Sequence, residues 1–232
     1  MKFRNLLGML ALALTVFSAS ATPWSSTDSF GYTGTTTSYN QRDMADATSI
    51  VSGDDNAASN VALPFSFNFF GTNYNSLWVS TNGLVGFSSS NAGSYCCSGT
   101  APGVSNSISL GWMDWITSVT AVSSGAAGSR EFILNWSGSE YGSEGGINAQ
   151  MILHEASNDI EFQYANLVDT EHSMFIGITD IATTDYLEYV GTSLSQVGLL
   201  ASTNHVPEPA SMPLVGMALV GMVVARKRQK QA

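Results

Sequence analysis

The sequence predicts an all-β fold, most simply an antiparallel two-sheet sandwich, flanked by an amino-terminal signal peptide and a carboxy-terminal hydrophobic helix. Three observations predict it. Apolar and polar residues alternate with period two in short runs, as in Leu63, Phe65, Phe67 and Phe69. Stretches rich in Gly, Ser, Asn and Thr separate those runs. Between residues 22 and 205 no stripe of 3.6-residue period is sustained.

At the amino end, Lys2 and Arg4 precede an apolar stretch from Leu6 to Phe17, and Ala19-Ser20-Ala21 follows. A charged start, an apolar run and small residues at Ala19 and Ala21 read as a secretory signal over 1–21, cleaved after Ala21. Residues 22–60 are rich in Ser, Thr, Gly and Asp and read as a polar lead-in with one short edge strand at most. The sandwich domain is assigned to 61–205, with roughly eight to ten strands. Leu63 to Phe69 is the first, and Leu77 to Ser80 the second. Asn82-Gly83 is expected to set a type I′ turn, since both residues tolerate positive φ, and Leu84 to Phe87 returns the chain. Ile108 to Trp112, Arg130 to Trp136, Ile147 to Leu153, Ile160 to Tyr164, Phe175 to Ile178 and Tyr186 to Val190 supply the rest. Ser88 to Ser107 and Ser118 to Ser129 read as loose connections.

The charge of this body is lopsided. Only Arg42 and Arg130 are basic between residues 22 and 205, against seventeen acids, a net charge of −15. Such a surface repels phosphate backbones, which argues against a nucleic-acid partner. Cys96 and Cys97 are adjacent, so they close no useful loop. A vicinal disulfide, a bridge to a second copy and a reduced pair all stay open.

The candidates for chemistry are few. His154, His172 and His205 have no second ligand at metal spacing, and His154 is expected to be solvent-facing or hydrogen-bonded. Glu140, Glu144, Glu155 and Glu161 are the carboxylates a glycoside hydrolase would need, although solvated surface explains them better. No cofactor is expected. Asp54-Asp55-Asn56 and Asp180 with Asp185 have the ligand types of Ca²⁺ corners but lack a regular loop spacing. Trp112 and Trp115 are candidates for a sugar-stacking platform, provided they lie side by side on the surface.

The final segment, 206–232, has three parts: Val206-Pro207-Glu208-Pro209, an apolar run from Met212 to Ala225, and a basic stop of Arg226, Lys227, Arg228 and Lys230. The run is 14 residues, about 21 Å as a helix and short of the ~30 Å hydrocarbon core. The basic end should stay cytoplasmic. This arrangement resembles the PEP-CTERM sorting signal of Gram-negative bacteria. The resemblance implies recognition of the helix, transiently in the inner membrane, by the protease exosortase, which cuts near Pro-Glu-Pro. Pro213 inside the run departs from a smooth helix.

A second resemblance runs over about 60–190. Leu63-Pro64-Phe65-Ser66-Phe67-Asn68-Phe69-Phe70-Gly71, Val79-Ser80-Thr81-Asn82-Gly83, the Trp112 to Trp115 segment and Asp159 to Tyr164 are similar to nidogen-like extracellular β domains. That likeness implies an adhesion or matrix-associated module with no catalytic residues to transfer. Together these readings predict a non-enzymatic structural or adhesion protein, exported through the periplasm to the cell surface or an exopolysaccharide matrix. A carbohydrate-binding module is the alternative, and a glycoside hydrolase ranks third.

Overall fold

A strand with one apolar face buries it only if a second layer covers it, and this chain pairs two sheets to do so. The computed structural model describes residues 24–26, 28–87, 101–143, 145–168, 174–190 and 193–203. The signal peptide, Cys96 and Cys97, Glu144, His172, His205 and the whole of 206–232 lie outside these residues. Among the described residues there are fourteen strands and no helix. They are β1 (Trp24–Ser26), β2 (Tyr32–Ser38), β3 (Thr48–Asp54), β4 (Ala57–Phe69), β5 (Thr72–Ser80), β6 (Leu84–Gly86) and β7 (Ser107–Ser109). The second half supplies β8 (Trp115–Ser124), β9 (Glu131–Glu140), β10 (Gly146–His154), β11 (Ile160–Val168), β12 (Ile176–Thr179), β13 (Tyr186–Tyr189) and β14 (Ser193–Thr203).

The front sheet runs β1-β13-β12-β7-β6-β5-β4 and the back sheet β2-β14-β11-β10-β9-β8-β3. Every pairing is antiparallel. Two meanders, β4 to β7 and β8 to β11, form most of the two layers. Their inward residues meet in one core: Phe65, Phe67, Phe69, Val79 and Ile108 from the front, and Leu134, Trp136, Met151, Phe162 and Tyr164 from the back. Two buried aromatics also tie layer to layer. The Trp136 indole N–H donates to the Ser80 carbonyl at 2.8 Å, and the Tyr164 hydroxyl donates to the Leu110 carbonyl at 2.9 Å.

Several expectations need correction. The lead-in carries β1, β2 and β3, and the boundary expected at residue 61 falls inside β4. Those three strands lie at sheet edges, where one flank is unpaired and little apolar surface is demanded, so Ser and Thr suffice. The stretch from Ser118 is no loop: β8 alternates buried and exposed from Trp115 to Ala121 with Ala and Val as its apolar half. With β14 also unforeseen, the strand count exceeds eight to ten. The type I′ turn is Phe70-Gly71, which joins Phe69 to Thr72 with φ of 44° and 79°. Asn82 is absent from the left-handed positions; only Gly83 adopts one, at φ 75°.

Candidate functional site

Because β2 and β3 occupy opposite edges of the back sheet, the residues joining them must cross its outer face. That face carries the polar half of β9, β10 and β11, and the crossing chain is fastened to it. Asn40 N–H donates to Gln163 Oε1 at 2.6 Å, and Arg42 N–H donates to Gln150 Oε1 at 2.7 Å. Gln150 Nε2 returns a bond to the Arg42 carbonyl, and Gln41 Nε2 reaches Asn148 at 2.8 Å. Gln150 and Gln163 are fully buried as a result.

Arg42 anchors this strap. Its guanidinium holds Glu131 through Nε and Nη2 at 3.1 and 2.9 Å, and Glu161 through Nη1 and Nη2 at 3.0 and 2.8 Å. Nη1 also donates to the Asn40 carbonyl. His154 lies beside the pair, 2.9 Å from Glu161 through Nε2. It is thus hydrogen-bonded, one of the two roles expected for it. Burial alone would raise the Glu161 carboxyl, but His154 and Arg42 hold it down to about 2. Glu131, His154 and Glu161 bring ligand atoms within 4.8 Å, yet Arg42 already hydrogen-bonds both carboxylates and offsets one of their two charges. The other body arginine is likewise engaged: Arg130 contacts Glu155 at 2.5 Å, and its guanidinium keeps that carboxyl at about 2. A general acid must be protonated near neutral pH, which neither Glu155 nor Glu161 is.

The second gathering is buried. Ser80-Thr81-Asn82-Gly83 leaves the front sheet and is bonded on every side. Thr81 N–H donates to the Asn56 carbonyl, the Thr81 hydroxyl accepts from Asn56 N–H, and the Thr81 carbonyl accepts from the Thr117 hydroxyl at 2.6 Å. The Asn82 side chain accepts from Trp115 N–H and donates to Asp55, each at 2.8 Å. The Trp115 ring lies against Gly83 and Gly111, and a Cβ at Gly111 would stand 2.8 Å from it. Trp115 is therefore fully buried, while Trp112 is half-buried. The expected surface platform is not formed, because the Gly111 to Asp114 corner turns the second indole into the core. The same corner places Asp114 beside Asp54 and Asp55, with carboxylate oxygens within 4.8 Å of one another. This all-oxygen set suits a hard cation in type. Asp180 and Asp185 do not form a corner: Asp180 accepts backbone N–H bonds from Ala182, Thr184 and Asp185, and Asp185 holds Ser29.

Residues missed by sequence reasoning are thus Arg42, Asn82, Gln150 and Gln163. Arg42 had one signal, as a rare cation among seventeen acids. The glutamines sit at polar positions of alternating strands and look solvated until the strap is in place.

A family model described as NIDO related matches residues 29–219. No curated protein and no solved structure matches the chain.

Proposed function

The chain belongs to the NIDO-related family, and on that footing we propose that it is an exported, non-enzymatic β-sandwich module of the cell surface or extracellular matrix, sorted by exosortase. The observation that carries this reading is the combination of an amino-terminal export signal with the three-part end Val206-Pro207-Glu208-Pro209, Met212 to Ala225 and Arg226 to Lys230. The charge of the body supports it. With both arginines engaged on the back sheet, the remaining surface is acidic and hydroxyl-rich, as suits a protein kept soluble outside the cell. The experiment is the intact mass and cell fraction of the native protein, in hosts with and without exosortase. A product starting at Thr22, cut near Pro209 and found outside the cell only when exosortase is present supports the proposal. A full-length tail in the inner membrane of both hosts overturns it.

A further inference from the structure

One end of the front sheet carries a half-open hollow of about 160 Å³ whose walls include Phe30, Phe70 and Tyr74, with Asn106, Asp180 and Asp185 as polar groups. Three features make it a built site. The first is conformational. Phe70 takes the leading position of a type I′ turn at φ 44°, where Asn, Asp or Gly is strongly preferred and a bulky residue is an outlier. An aromatic ring stands there instead, half-buried against Phe69, Tyr32 and Phe30 at 4.8, 4.9 and 5.6 Å, with one side left to the hollow. Strain held at one position by its surroundings points to use of the side chain.

The second feature is the presentation of Phe30, which is 42 % exposed. The Asp28 carboxylate accepts the backbone N–H groups of Phe30, Gly31 and Tyr32, and Ser29 is bonded through N–H and hydroxyl to Asp185. The ring is exposed, yet the loop beneath it is fastened at both ends. The third is the state of the acids. Asp180 accepts three backbone N–H groups of its own turn, and Asp185 accepts the two donors of Ser29. A carboxylate has about four lone-pair sites, so each keeps acceptor capacity in a fixed orientation while its charge is already partly met. The Asn106 amide, 3.1 Å from the Tyr74 hydroxyl, adds a group that both donates and accepts.

From this geometry we propose that the hollow binds a single pyranose ring of a neutral glycan, stacking its C–H face on Phe30 or Phe70 and donating hydroxyls to Asp180 and Asp185. The volume lies below the roughly 300 Å³ at which drug-sized sites begin, so it takes one ring. Two acids and no basic side chain in the lining disfavour uronic acids and sulfated sugars. The inference deepens the adhesion reading and fails separately from it, because sugar binding is read by titration and sorting by mass and fractionation.

The test is saturation-transfer NMR and calorimetry on the full-length chain with methyl glycosides of glucose, galactose and mannose. At least one should bind in the millimolar range. Phe30→Ala and Phe70→Asn should each weaken it about tenfold, the free-energy scale of one aromatic contact. Circular dichroism and the melting temperature of each variant serve as the folding control, since Phe70→Asn supplies the residue the turn prefers but gives up ring packing against Tyr32 and Phe69. Absence of binding to all three glycosides, or equal binding by both variants, overturns the proposal. So does salt-sensitive binding of tetramethylammonium without any sugar binding, which would make the hollow a cation site.

Discussion

The two central meanders and the amino-terminal segment are held by different forces. In β4 to β7 and β8 to β11, large apolar side chains point inward at every second position, and burying each contributes about 1.5–3 kcal/mol. Residues 24 to 54 contribute little to that core. They form three of the four sheet edges and are fixed by ladder bonds, by Trp24 packed against Tyr189 at 5.4 Å, and by the Arg42 strap. The centre is thus stabilised chiefly by area removed from water, and the rim by hydrogen bonds and one cation. Substitutions should separate the two.

The largest effect is expected at Gly83, where φ is 75° and a side chain would run into Trp115. Gly83→Val should prevent folding or lower unfolding free energy by at least about 4 kcal/mol, measured by urea denaturation. A shift under 1 kcal/mol would show that the Trp115 slot is not needed. Next is Leu134→Ala, which empties a fully buried position in the back sheet and should cost about 2–5 kcal/mol.

At the rim, Arg42→Met leaves Glu131 and Glu161 facing each other without their cation. Allowing for the 18 % exposure of the arginine side chain, it should cost about 2 kcal/mol, and hydrogen exchange should rise first in β2 and β3. Equal protection of edge and centre would argue that the strap contributes no local stability. Acid gives a related reading. The folded-state pKa of Glu161 is depressed to about 2, so its contribution is present above the ordinary carboxylate range and is lost as pH falls from about 4.5 towards 2. Glu161→Gln should flatten that part of the stability profile, and an unchanged profile would assign acid sensitivity elsewhere. The smallest effect is expected for Thr36→Lys on the exposed face of β2, within about 0.5 kcal/mol.

The same division explains what could be read from the chain. Leu63 to Phe69, Ile147 to Leu153 and Ile160 to Tyr164 are visible because burial on one face imposes a period on the residues. Thr33 to Ser38 and Thr48 to Asp54 carry no such imprint; their place follows from partners far along the chain, Ser202 to Val197 and Ile116 to Ala121. At the site level, single residues mislead. Asn82-Gly83 does lie between the paired strands β5 and β6, but not as the type I′ turn its composition suggests, because the Asn82 side chain is held in the core by Trp115 and Asp55. Trp112 and Trp115 are close in sequence, yet the corner between them turns only the second fully inward. Phe70-Gly71-Thr72-Asn73 reads as a turn between two strands, and it is one, but nothing in the composition of Phe-Gly announces positive φ at the phenylalanine.

The placement of the first strands has a consequence for the order of assembly. Trp24 finds its partner at Tyr189, and Tyr32 finds its partner at Thr203. A chain that emerges amino end first therefore presents its opening segments long before their neighbours exist, and closes the front sheet only when β13 arrives and the back sheet only with β14. Contacts this distant in sequence make folding slow. The nascent polypeptide stays open until it is almost complete, a delay built into the topology itself.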